Sequence, residues 1–231
     1  MDVIEKHFES DNEAAQALAD AVAENLREGI LRRGRGSLVV SGGRSPIAFF
    51  HALRVQKLDW RKVEITLADE RWVEPTSEDS NERLLRQHLL KDEAIEAKLV
   101  SLKTSDLKPM NAVVEIIERI SAMPRPFDAV VLGMGADGHT ASLFPNMPAL
   151  SAMLNPQWAV QVGTATAPTE PKNRVTLTLR ALLDTRQLYL SISGAEKVEV
   201  YAAASAGNRE YPVASLFHQR LAPVSVFIVG A

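Results

Sequence analysis

The strongest constraint on this chain is a strand that runs straight into glycine. Residues 127–145 read FDAVVLGMGADGHTASLFP. The apolar, β-branched run Ala129-Val130-Val131-Leu132 has the length of a buried strand. It breaks at once into Gly133, Gly135 and Gly138, with Asp137 and His139 beside them. Glycine at the end of a buried strand lets backbone approach a ligand closely. In open α/β sheets, ligands bind beyond the carboxyl ends of the strands. The same order recurs twice. Ser37-Leu38-Val39-Val40 runs into Ser41-Gly42-Gly43-Arg44-Ser45-Pro46 and a helical stretch from Ile47 to Leu53. Leu188-Tyr189-Leu190-Ser191-Ile192 runs into Ser193-Gly194-Ala195-Glu196-Lys197, with Val198, Tyr201 and Ala202 behind at helical spacing. Strands alternating with helices predict an α/β fold with a mainly parallel sheet and helices on both faces. The three glycine turns are expected to converge on one edge of it.

Other segments fit around this frame. Ser10-Asp11-Asn12-Glu13 has the spacing of a capping box. It heads a helix carrying Ala14, Ala17, Leu18, Ala21, Val22 and Leu26, closed by Gly34 and Gly36. The first strand is read at 37–40, with Ser45 as the cap and Pro46 as the first residue of the helix that follows. Residues 63–68 alternate as a second strand and lead into Asp69-Glu70-Arg71. Residue types leave two readings of that trio open: a local salt bridge, or Arg71 facing the same cleft as the first turn. Asp79 or Ser80 caps a helix carrying Leu84, Leu85, Leu89 and Leu90, in which His88 reads as packing or surface rather than a ligand. An amphipathic helix covers 111–120. Further strands are expected at 159–162, at 175–179 with Arg174 at its amino end, and at 224–229, with a short helix at 212–218. No repeat or linker divides the chain, so one domain is expected over 1–231.

Composition narrows the chemistry. The chain has 231 residues and a formal net charge of −3, with no tract of like charge, which argues against bulk nucleic-acid or anionic-membrane binding. It has no cysteine, which excludes disulfides, thiolate catalysis and Cys-ligated metal. Met1-Asp2-Val3-Ile4-Glu5-Lys6 lacks a secretory pattern and no apolar run reaches membrane-spanning length, so a cytoplasmic location is expected. Neither HExxH nor HxxxH spacing occurs, and no metal and no cofactor are expected in the chemistry. Gly133 to Gly138 spells GxGxxG, but residues 158–163, where a dinucleotide fold places its acidic residue, carry no carboxylate.

The polar residues of the turns point to an anion. Gly42 and Gly43 free the backbone to wrap one at a helix start, and Arg44 with Ser41 and Ser45 adds donors. Lys197 in the first turn of its helix opposes the helix dipole, a conflict that a bound phosphate resolves. A pocket holding Arg44, Arg71, Arg174 and Lys197 suits a phosphorylated small molecule. Of five histidines, only His139 stands in such a loop, and an imidazole ordinarily titrates in the range useful to a general base at neutral pH. Asp137 is placed to orient it or to contact substrate. Ser142 lacks the GxSxG elbow of a serine nucleophile. The residues alone stop at metal-free, His-assisted chemistry on a sugar phosphate or similar anion.

The same residues carry a family resemblance. Ser41-Gly42-Gly43-Arg44-Ser45-Pro46, Ala68-Asp69-Glu70-Arg71-Trp72-Val73 with Ser80-Asn81, Gly133 to Pro145, Arg174-Val175-Thr176-Leu177-Thr178 and Gly194-Ala195-Glu196-Lys197 occur in order across nearly the whole chain. It resembles the bacterial 6-phosphogluconolactonases, in the wider group that includes glucosamine-6-phosphate deaminase. The resemblance implies a Rossmann-like, deaminase-like fold, a monomer or small homo-oligomer, and hydrolysis of 6-phospho-D-glucono-1,5-lactone within the oxidative pentose phosphate pathway. It implies His139 as base, with Arg71, Arg174 and Lys197 binding substrate and the turn from Gly42 to Ser45 forming part of the cradle. The deaminases have a Glu before the Pro of the long block, where this chain has Phe144. They have Asp-Glu-Tyr where it has Asp69-Glu70-Arg71. Both departures favour the lactonase over a deaminase-like isomerase, and the presence of His139 favours it over a non-catalytic sugar-phosphate-binding regulator.

Overall fold

The computed structural model describes residues 3–230; Met1, Asp2 and Ala231, with the parts of the terminal and domain readings that rest on them, lie outside the described residues. In chain order the elements are β1 (Ile4–Phe8), α1 (Asp11–Arg33), β2 (Gly36–Val40), α2 (Ile47–Leu53), β3 (Val63–Leu67), β4 (Asp69–Arg71), α3 (Asn81–His88), β5 (Lys98–Val100) and α4 (Pro109–Ser121). There follow β6 (Ala129–Leu132), α5 (Leu150–Met153), β7 (Val162–Thr166), β8 (Asn173–Leu177), α6 (Leu179–Leu182), β9 (Leu188–Ser193), α7 (Ala195–Ser205), α8 (Ala214–Phe217) and β10 (Val224–Val229).

Seven strands form a parallel sheet in the order β1-β10-β9-β6-β2-β3-β5. Every residue of β2, β3 and β6 is buried. Strands covered on both faces tend to read as continuous apolar runs, as β6 does, whereas β3 alternates and buries Glu64 and Thr66 as well. From β2 the chain steps to β3 and β5 on one side, then crosses to β6, β9 and β10 on the other. Strand order therefore reverses between β2 and β6, and a doubly wound sheet opens its ligand crevice at such a reversal.

Local signals account for the α1 boundaries. Ser10 accepts a hydrogen bond from the Glu13 N–H, and the Glu13 carboxylate accepts one from the Glu9 N–H. Gly34, at φ 75°, closes the helix through its N–H to Ile30 O. Ser80 caps α3, accepting from the Arg83 N–H. No described helix is long and apolar enough to cross a membrane.

Four expectations are corrected. Residues 37–40 are not the first strand: β1 precedes them, an edge strand paired to β10 and exposed over most of its length. Its Glu5-Lys6-His7 centre carries no burial pattern, because only one neighbour orders it. The helix after the first glycine turn begins one residue late, with Pro46 in the cap position and no side-chain cap from Ser45. The strand expected at 159–162 lies at Val162–Thr166, and the one expected at 175–179 lies at Asn173–Leu177 with Arg174 inside it. Thr178 ends that strand by donating to Val160 O, and Leu179 starts α6. Apart from these four, β4, β8 and β7 form a separate antiparallel sheet. This small sheet carries Asp69, Arg71 and Arg174 over the end of the large one.

Candidate active site

A cavity of about 290 Å³ opens where strand order reverses. Its floor is apolar and comes from the ends of β2 and β6 with Leu18, Phe49 and Met134. The three glycine turns supply its rim: Gly42 and Gly43 after β2, Gly133 and Gly135 after β6, and Lys197 beyond β9. The convergence expected from sequence is present. The small sheet closes one side with Asp69, Arg71 and Arg174, and Thr169 reaches in from the loop between β7 and β8.

His139 lies on the wall with its Nδ1 2.5 Å from Asp137 Oδ1, which also accepts from the His139 N–H at 3.1 Å. A carboxylate only accepts, so Nδ1 carries a proton, and the neutral form of the ring keeps its lone pair on Nε2. The imidazole is held between two neighbours. A Cβ on Gly135 would fall 2.3 Å from the ring, so only glycine permits this approach. On another side the Phe144 ring lies with its centre 4.8 Å away.

Arg71 and Arg174 are register partners on β4 and β8. Arg71 donates to Asp79 O at 2.6 Å, which resolves the open reading of the Asp69-Glu70-Arg71 trio toward the cleft. Arg174 is only 6% exposed, its Nε has no hydrogen-bond partner, and burial followed by the charge of Arg71 pushes its pKa below the usual range. Neither arginine, nor Lys197, forms a salt bridge among the described residues. Cations brought together without carboxylate partners make a site for an anion.

Glu70 faces away from the cavity and organises this wall. It is 1% exposed and accepts from the N–H groups of Arg71, Asn81 and Glu82 and from the Ser80 hydroxyl. Burial pushes its pKa up to about 6, against the opposing effect of those N–H donors. Asn81 in turn donates to Asp69 O and packs so closely on Gly42 that a Cβ there would meet its side chain at 2.0 Å.

The structure does not bring together every residue singled out from sequence. Arg44 is exposed and does not line the cavity; its carbonyl instead accepts from the Ile47 N–H. Asp137 is reached only through His139, with its side chain 46% exposed. Ser45 lines the cavity without capping α2. Asp69, Asn81 and Thr169 line it and were not singled out as site residues. Asp69 and Thr169 are placed by the small antiparallel sheet, and Asn81, at the start of α3, is tied to it through Asp69 O; residue patterns along the chain do not disclose that sheet.

The family model for glucosamine-6-phosphate isomerases/6-phosphogluconolactonase matches residues 9–224. The chain belongs to this family. It is 44% identical over 211 residues to a 6-phosphogluconolactonase of Neisseria meningitidis, covering 89% of this chain and 90% of that protein. It is 40% identical to one from Rhizobium meliloti over 95% and 96% of the two chains. Among solved structures, a 6-phosphogluconolactonase from Shewanella baltica superposes with a TM-score of 0.94 at 41% identity, covering 99% and 98% of the chains. A monomeric glucosamine-6-phosphate deaminase shares the fold, with a TM-score of 0.80 at 16% identity. The Rossmann-like α/β architecture is thus common to both branches of the family.

Proposed function

We propose that this protein hydrolyses 6-phospho-D-glucono-1,5-lactone to 6-phospho-D-gluconate, with His139 as general base. The observation that carries this reading is the placement of an Asp-oriented imidazole and three cations without carboxylate partners on the walls of one cavity. The relatives from Neisseria meningitidis, Rhizobium meliloti and Shewanella baltica carry the 6-phosphogluconolactonase name at 40% identity or more.

His139 Nε2 takes a proton from water as the oxygen attacks the lactone carbonyl. The tetrahedral oxyanion forms beside Arg71, whose guanidinium is already anchored by Asp79 O. The imidazolium, stabilised by Asp137, returns its proton to the ring oxygen as the C–O bond breaks. Lys197 and Arg174 hold the phosphate, whose binding energy positions the carbonyl. Phe144 supports lactone hydrolysis over ring-opening isomerisation, since it places an apolar ring beside His139 and adds no second carboxylate to the acid–base set.

The test is the rate of hydrolysis of freshly generated 6-phosphogluconolactone in chelator, corrected for spontaneous opening and compared with unphosphorylated gluconolactone. Fast turnover of the phosphorylated lactone alone is expected. Equal rates for the two lactones, or none above background, would refute the assignment.

A further inference from the structure

Away from the cavity, α2 and α3 meet through two histidines. His51 Nε2 and His88 Nδ1 lie 3.0 Å apart. Their ring centres are 5.2 Å apart, with the planes tilted by 36°. His51 is exposed and His88 half-buried, so water reaches the pair.

We propose that His51 and His88 form a zinc site, with two protein ligands and water completing the shell. A tetrahedral zinc ion with Zn–N bonds of about 2.1 Å places two imidazole nitrogens about 3.4 Å apart and their ring centres about 5.2 Å apart. The ring centres already stand at that separation. Rotating the rings opens the nitrogen gap by the remaining ~0.4 Å, with His51 carrying its proton on Nδ1. Arg54, the cation beside the pair, is tied through Nε to Asp92 at 2.7 Å and donates from Nη1 to His88 O at 3.3 Å.

No third His, Cys, Asp or Glu completes a metal-binding group among the described residues. The site is therefore open and weaker than a closed structural one. Its place in the fold gives it a consequence. Phe49 of α2 and Asn81 of α3 line the cavity, so zinc would tie together two helices that wall it.

The experiment is a zinc titration of the chelator-stripped, dialysed protein against a chromophoric chelator, with melting followed in parallel. One zinc per chain is expected, with a Kd on the order of 10 µM. His51→Gln and His88→Gln should each weaken binding by about tenfold or more and abolish a zinc-dependent rise in Tm. Both should retain the metal-free Tm and turnover of the parent, and His139→Gln should still bind zinc. No uptake at ~100 µM zinc, or uptake that survives both substitutions or is lost only with His139→Gln, would overturn the proposal.

Discussion

Arg71 and Arg174 face each other directly across β4 and β8, two like charges in register, one of them buried with an unpartnered Nε. Like charges directly opposite each other destabilise an antiparallel pair, and a buried charge without a partner is costly. The arrangement is explicable as preparation for an anion. Arg174→Met should therefore raise KM for the phosphorylated lactone by about 10- to 100-fold, the value of a hydrogen bond to a charged group. The ligand-free Tm should equal or exceed that of the parent. Steady-state kinetics and a melting curve check both halves. A KM within twofold, or a marked loss of stability, would contradict this role.

The Asp137–His139 pair makes a graded prediction. His139→Ala should lower kcat by ~10²–10⁴ with little change in KM, since a general base acts in the transition state. Asp137→Asn should cost less than the ~10⁴ measured for a buried triad, because Asp137 is nearly half exposed and water partly replaces it. A His139→Ala variant within twofold of the parent would remove the base from the mechanism.

The glycine turns were legible because each combines a buried strand with a break that few residues other than glycine tolerate, and three such breaks imply one shared edge. His139 stood out for the same reason. The small sheet was not legible. Its strands are short, and β4 reads as a charged trio rather than a strand because it pairs only with β8 and curls Glu70 inward. Arg174 consequently appeared beside its strand instead of within it. Arg44 could not be placed from the sequence, because residue type says what a side chain can bind but not which way its turn points it. β1 was invisible because its order comes from β10, more than 200 positions away in sequence.

Gly135→Ala separates positioning from stability. The backbone of Gly135 does not occupy the left-handed region, so alanine is tolerated there by the chain itself. Its Cβ would fall 2.3 Å from the imidazole of His139, which is one-third exposed and would have to leave its seat against Phe144 and Asp137. Turnover should fall toward that of His139→Ala, by ~10² or more, while stability changes by no more than about 1 kcal/mol. Paired assays of kcat and urea unfolding decide the matter; turnover close to the parent's would show that the ring does not need its observed seat.

Glu70 gives the molecule a pH signature with a definite sign. Its carboxylate titrates near 4.5 when free and at about 6 in the fold, chiefly because burial disfavours the charge. A raised folded pKa means that the native state binds the proton more tightly. The associated stability is fully present below about pH 4.5 and is lost as pH rises through about 6. The shift corresponds to about 2 kcal/mol. Glu70→Gln cannot titrate, so it should lack this slope. It should also be less stable at pH 7 by about 1–3 kcal/mol, because each carboxylate oxygen accepts from main-chain N–H groups and an amide would turn its own N–H toward one of them. Urea unfolding of both proteins from pH 4 to 8 is the measurement. The advantage of the parent over the variant should shrink as pH rises. If it grows instead, the N–H donors of Arg71, Asn81 and Glu82 outweigh burial, and Glu70 holds the Arg71 wall as a stabilised anion.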